Sequence, residues 1–501
     1  MHVARAASLA GLILCTGLAF ADEPPTRYDA AAWRADLAAL ERGLEQRYAH
    51  LGWLASGRGG VDLVAAHAAV ERELAAAGDD EAARLALERF VASFHDGHLQ
   101  PLRPASAVAG PGPADPCEAL GVEAADRPAP SFPAASLPGL VSASAADDDF
   151  PTAVVDTPHG RRLALLRIAG FTPTMYPGLC RRVLQDFAAR QVEPTKRRVR
   201  DAMQDRWIET LAQTVKRLAA ARPDALVVDV AHNFGGGDLG DWTVRLLTPA
   251  PVRSAPLLVE ADAAGAYLDA QLRGLRRGLS LLHDDPPALA ARFREAIGAF
   301  ELRRERLASR SPCAPMSWAW HEQRPWTPGL CDGLVEAGFA SGAYDYLPPG
   351  APALADIAAY AYWPAQVDAF RGTWSGPLYV YADGQDWSAA EMFVAALRDN
   401  RVGRIVGTRT GGAGCGNMGA SRPLELPHSG LRFQLPDCVR LRADGSDEVA
   451  GVAPDIAFEP VSGEADAARA ARFIRVIERD LTTRRPGPPA PQAAGAQVHA
   501  E

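Results

Sequence analysis

Apolar residues in the first hundred positions recur at helical spacing. Trp33, Leu37, Leu40 and Leu44 make one stripe on an otherwise charged segment, which predicts an amphipathic helix. Asp79 and Asp80 stand where a helix N-terminus favours them, and Leu85, Leu87, Phe90, Val91 and Phe94 follow with core-facing spacing. The pattern stops at a turn-forming cluster, His95, Asp96, Gly97, His98 and Leu99. Residues 101–155 are rich in Pro, Ala, Gly and Ser and carry little periodicity, so they read as a connector. A strand-like run from Leu163 to Ile168 opens a new folded region. It is followed by a helix with Ile208, Leu211, Val215 and Leu218 on one face. The buried-strand run Ala225 to Val230 then leads into a glycine loop, Asn233 to Gly237, giving the rhythm of an α/β layer.

Residues 255–370 break that rhythm. Two predicted helices, about 264–282 and 286–307, lead into a Trp- and Pro-rich stretch, read together as a helical insertion holding two cysteines. The α/β pattern resumes with a strand at Pro377 to Ala382, a turn at Asp383 and Gly384, a helix from Ser388 to about Arg398, and a strand at Arg404 to Gly407. The layout is then an N-terminal helical domain over 22–100, the connector, a core in two parts (156–254 and 371–470) around the insertion, and a Pro/Ala-rich tail, 483–501, expected to be disordered.

Composition adds a compartment. Arg5, the apolar run Ala6 to Phe20 and the small-x-small pattern Ala19, Phe20, Ala21 read as a signal peptide over 1–21. Leu14 is bulky where lipid attachment at Cys15 would want a small residue. No later stretch is long and apolar enough to span a bilayer, so a periplasmic or secreted protein with no integral membrane segment is expected. Removing Cys15 leaves Cys117, Cys180, Cys313, Cys331, Cys415 and Cys438, an even count that suits disulfides in an exported chain. Pairing of sequence neighbours is the simplest guess, such as Cys313 with Cys331 and Cys415 with Cys438. The net charge of −9 carries no basic block, which argues against nucleic acid as a partner. No C-x-x-C and no His pair with ligand spacing occurs, so neither metal nor cofactor is expected.

Three features carry candidate chemistry. Ser388 lies where strand and turn give way to a helix, whose free N–H groups favour a developing negative charge. The competing reading is a capping box, with Ser388 as cap and Glu391 three residues on. Three glycines at 235–237 let bare backbone approach a ligand and aim amides at it, unless they only make a tight turn. His98 offers an imidazole base, unless it is an ordinary hydrogen-bonded loop residue, and His232 in the glycine loop is a rival.

These features occur in a recognisable order. Phe94 to Leu99, Leu226 to Gly236 (LVVDVAHNFGG), Pro377 to Glu391, Gly407 to Gly412 and Gly451 to Ile456 resemble five landmarks of the C-terminal-processing, or tail-specific, serine peptidase family. The resemblance implies an α/β (α+β) fold with a crotonase-like core, Ser388 as nucleophile, and an oxyanion hole from Gly235 or Gly236 with Ala389. It also implies a peptide or protein substrate. The lysine base of tail-specific members falls here at Ala413, and no lysine follows Lys216. The connector is too short and Pro-rich for a PDZ domain, and Ala231 replaces the arginine common after the strand aspartate. What remains is similar to the tricorn-like branch, with His98 as base and Glu448 as its distant acid, although Gly97 replaces the serine that precedes this histidine there. Two other readings stay open: a hydrolase of esters or small amides, and a non-catalytic relative that binds peptide or lipid in the same cleft.

Overall fold

Capping side chains and buried stripes define the N-terminal helices. A computed structural model of the chain describes residues 28–102, 115–122, 127–282, 287–310, 314–329, 332–342, 367, 369–418 and 422–483. Asp29, Asp62 and Asp79 cap α1 (Ala30–Arg47), α2 (Leu63–Ala76) and α3 (Asp80–Ala92), each accepting from amides of the first turn. Trp33 of α1 donates its indole N–H to Asp80 at 2.8 Å, locking α1 to the start of α3. The predicted stripe is buried, but its partners are remote in sequence. Leu40, Leu44, Leu87 and Phe94 share one core with Leu426, Phe433, Leu435 and Val449. Asp36, fully buried on α1, accepts the amides of His428 and Ser429 at 2.9 and 2.8 Å. The strand Gln100–Leu102 then pairs antiparallel with Arg432–Gln434.

A seven-stranded sheet forms the centre. In chain order its strands are β1 (Leu140–Ala143), β2 (Thr152–Asp156), β3 (Arg162–Arg167), β4 (Ala225–Asp229), β5 (Leu378–Ala382), β6 (Arg404–Gly407) and β7 (Ile456–Ala457), lying in the spatial order β7-β6-β5-β4-β3-β2-β1. From β3 to β7 neighbours are parallel, and β1 and β2 add an antiparallel edge. The crossover from β3 to β4 carries α4 (Pro177–Ala189) and α5 (Lys196–Ala220), which cover one face with Leu179, Val183, Trp207, Leu211 and Val215. On the other face lies a C-terminal helix, Asp466–Thr483, packing Phe473, Ile474 and Ile477 on Leu163, Leu165, Val227 and Tyr379. The strands β4 and β5 are buried throughout, as uninterrupted apolar runs in a covered parallel sheet must be.

Two stretches differ from expectation. The 101–155 connector supplies β1 and β2, which a period-two search overlooks because β1 is exposed at every position and ends the sheet. The 255–370 insertion does contain two long helices, α6 (Ala261–Leu282) and α7 (Pro287–Ala308), packed through Leu268, Leu275, Phe293 and Phe300. It also contains strands Pro256–Glu260 and Leu334–Phe339, which pair with each other, the former also with Cys438–Arg440 of the second core segment. The disulfides described join Cys117 to Cys180 and Cys415 to Cys438. Cys313, Cys331, the signal segment 1–21 and the tail beyond 483 lie outside the described residues. Among the described residues no helix is long and apolar enough to cross a membrane.

Cys117 and Cys180 are 63 residues apart, so their bond restricts a long loop of the unfolded chain. Replacing both with Ala should cost about 2–5 kcal/mol of stability, seen as a lower urea midpoint. An unchanged midpoint would show that this link does not constrain the chain.

Candidate active site

The turn after β5 is built on a buried carboxylate. Asp386, fully buried, accepts the amide of Asp383 at 2.8 Å with one oxygen and that of Asn233 at 2.9 Å with the other. Burial, with the neighbouring charge of Asp383, raises its pKa well above the carboxylate range. Trp387 donates its amide to the carbonyl of Asn233 at 3.0 Å. The turn and the glycine loop are thus stitched together on both sides of Asn233. Ser388 follows at φ 58° and ψ −117°, left-handed backbone that costs a non-glycine residue about 1–3 kcal/mol. Such a bend lifts the side chain off the strand-to-helix turn, as a nucleophile elbow does.

Ser388 does not cap the helix α8 (Ala389–Asp399), and its half-buried hydroxyl has no hydrogen-bond partner among the described residues. The capping-box partner points elsewhere. Glu391, buried in the first turn, accepts Thr410 Oγ1 and the amides of Gly412, Ala413 and Gly414 at 2.6 to 3.1 Å. Burial, offset in part by these bonds, pushes its pKa up to about 7. Glu391 therefore pins the 410–414 loop to helix α8.

The glycine loop lies against Ser388. A Cβ on Gly235, whose φ is 98°, would stand 2.7 Å from Ser388 Cβ and 2.8 Å from the Ala389 nitrogen, so only glycine fits. The Gly235 amide donates to Asn233 Oδ1 at 2.8 Å and is occupied. The amides of Gly236 and Ala389 have no acceptor among the described residues. Beside Gly236 opens a cavity of about 480 Å³ lined by Phe171, Thr172, Met203 and Trp242.

His98 comes to the 413–416 loop from the opposite end of the chain. Its Nδ1 lies 2.8 Å from the carbonyl of Ala413. A carbonyl can only accept, so Nδ1 carries the hydrogen and Nε2 keeps its lone pair. Nε2 has no partner among the described residues and is not hydrogen-bonded to Ser388. A Cβ on Gly416 would come within 2.9 Å of Nε2, so a side chain there would crowd the free atom. The preceding residue, Gly97, packs on the loop and the Ser388 turn: a Cβ there would stand 3.1 Å from Ala413 Cβ and 3.5 Å from the Trp387 ring. That tight fit gives a physical reason for glycine where the tricorn-like pattern has serine.

The surroundings of this imidazole favour its neutral form. Burial lowers the His98 pKa, and the charges of Arg440 and His50 act in the same direction, against Asp96. His50 is the opposite case. Burial disfavours its charge, but Asp447 at 2.6 Å, with Asp96 and the Cys415 carbonyl, more than offsets this and pushes its pKa to about 9. The charge of Asp96 acts on both rings, and its carboxylate accepts the His98 amide at 2.9 Å and the Tyr48 hydroxyl at 2.9 Å.

Glu448, the expected distant acid, makes no hydrogen bond to His98. It forms a buried two-point pair with Arg440 at 2.6 and 2.8 Å, and the same guanidinium donates to the carbonyl of Gly414 at 2.9 Å. His232, the rival base, is ion-paired with Asp383 at 2.9 Å. Sequence reasoning passed over His50, Asp386, Asp447 and Arg440, since none sits in a spacing pattern of its own. Among the described residues no group of three His, Cys, Asp or Glu side chains is arranged to hold a metal ion.

Residues 198–458, more than half of the chain, match the family model described as Peptidase family S41. No curated protein matches the sequence. Among solved structures, mature CPAF is 15% identical with a TM-score of 0.50, over 90% of this chain and 98% of that one. Mature CPAF complexed with lactacystin is 14% identical with a TM-score of 0.52, over 90% of this chain and 99% of that one. At such identities these likenesses speak for the fold alone.

Gly235→Ala tests the contact that seats Ser388. Its Cβ should displace Ser388 by a large fraction of an ångström and slow fluorophosphonate modification of Ser388 by about a hundredfold. A wild-type labelling rate would mean that the glycine loop does not set the serine.

Proposed function

The chain belongs to peptidase family S41, and from that premise we propose that it is an exported serine peptidase with Ser388 as nucleophile and His98 as base. One observation carries this reading. A strained serine lies beside two unpaired amides, and an imidazole with a free Nε2 follows Gly97, where a Cβ would stand 3.5 Å from the ring of Trp387 next to that serine, although these groups come from three remote segments. Ser388 Oγ attacks the peptide carbonyl while His98 Nε2 takes its proton. The amides of Gly236 and Ala389 receive the oxyanion, the latter at the positive end of α8. His98 then hands the proton to the leaving amine, and water, activated by the same nitrogen, releases the acyl group. No cofactor enters this chemistry.

In this mechanism the orienting role of a triad acid falls to the carbonyl of Ala413, which holds ring and tautomer. The Arg440–Glu448 pair braces the Gly414 carbonyl next to it. The cavity beside Gly236 takes a substrate side chain. Export draws support from the two disulfides, which persist in oxidising compartments.

The non-catalytic reading rests on the missing Ser388–His98 hydrogen bond, and one set of measurements decides between the two. The wild type should cleave unfolded protein substrates faster than simple esters and label with a fluorophosphonate. Ser388→Ala should do neither, and His98→Ala should lose about ten-thousandfold in kcat/KM. No labelling of the wild type under any condition would leave only a binding role. A general base works unprotonated, and the His98 pKa is lowered, so activity should rise with pH through a midpoint below about 6.5 and be level at neutral pH. A midpoint well above that value would remove His98 from the role.

A further inference from the structure

Arg167 ends β3 on the face covered by the C-terminal helix, opposite Asp229 in the strand register. It is 3% exposed, and its guanidinium is only partly used. Nη1 donates to Asp229 Oδ1 at 2.9 Å and to the Asp229 carbonyl at 3.3 Å. Nε and Nη2 are buried and have no acceptor among the described residues. These two groups share one edge of the guanidinium, the edge that presents parallel N–H bonds to a carboxylate. Leaving such donors empty in a low-dielectric site is costly, so a buried unfilled edge points to something that fills it.

Beside this edge lies a cavity of about 240 Å³. Arg167 and Asp229 line it together with Pro130, Phe132, Ala134 and Ala153. Asp229 is itself saturated, accepting the amide and hydroxyl of Ser131 at 2.8 and 2.9 Å and the amide of Ala231 at 3.2 Å. The volume corresponds to roughly eight waters at about 30 Å³ each, enough for a short acyl chain and too little for a lipid tail. The walls are mostly apolar, and the polar side chains among them are Arg167, Asp229, Ser144 and Thr152, of which Arg167 alone is cationic.

We propose that this cavity is a binding site for a monocarboxylate with a short apolar tail, its two oxygens on Nε and Nη2 of Arg167 and its tail against Phe132 and Ala134. The Ala231 amide donates to Asp229 Oδ1, which ties the site to the segment that leads into the glycine loop. The proposal does not depend on Ser388 or His98. The same chemistry is offered by free acids and by the last residue of a peptide.

The test is isothermal titration of the purified protein with 4-methylpentanoate, its amide, and a leucine-ending peptide with free or amidated C-terminus, all on the Ser388→Ala background. Saturable binding of the acid and none of the amide is expected. Arg167→Lys keeps a cation for Asp229 but loses the paired donors, and should weaken binding about tenfold or more. Ala134→Phe fills the cavity from its rim and should abolish binding with the melting temperature unchanged; it stands in should the lysine variant fail to fold. Competition by the free-ended peptide alone would identify chain ends as the source, and failure to compete would identify free acids. Equal binding of acid and amide, no saturable binding, or full binding in Ala134→Phe would overturn the proposal and leave the edge to water.

Discussion

The hydrogen bond from His98 Nδ1 to the carbonyl of Ala413 is the constraint on which the site depends. It joins the N-terminal helices to the second half of the core, and it decides which ring nitrogen is free. A single 2.8 Å bond could not do this alone. The carbonyl is held because Glu391 grips the amides of 412, 413 and 414, and Arg440 grips the carbonyl of Gly414. The imidazole is held because Asp96 binds its backbone amide, and because the 100–102 strand pairs with 432–434 just beyond it. Burial of Leu40, Leu87 and Phe94 against Leu426 and Phe433 supplies the adhesion that makes these polar contacts worth their desolvation.

The Ser388 side follows a similar logic. Asp386 is a carboxylate buried at considerable cost, yet it lets one side chain satisfy amides from two loops at once. Asn233 completes the link, its side chain taking the Gly235 amide and donating to the Ile168 carbonyl at 3.1 Å. With both loops fixed, the positive φ of Ser388 is over-determined by its surroundings, the condition under which such strain persists. The amides left over, those of Gly236 and Ala389, are the ones the scaffold does not consume.

Much of this was legible where chemistry and local pattern coincide. The buried runs of β3, β4, β5 and β6, the capped helix α3 and the start of α8 follow from periodicity and turn residues, and their observed bounds lie within a residue or two of those expected. What escaped has physical reasons. An exposed edge strand such as β1 shows no alternation, because neither of its faces is buried. A backbone carbonyl has no sequence signature, so the Ala413 oxygen could not be read as the partner of His98, although Ala413 had been noted as the position lacking a lysine. The match of Glu448 with Arg440 depends on a chain reversal between them, and the acid was visible without the base that occupies it. His50 and Asp447 lie 397 residues apart and meet only through the packing of α1 on the 424–450 segment.

The tautomer of His98 is the most direct test of the account. Nitrogen-15 NMR of the folded protein at neutral pH, with His98 assigned by its loss in His98→Gln, should report a neutral ring with hydrogen on Nδ1 and a bare Nε2. A ring protonated on Nε2, or an imidazolium at that pH, would contradict it.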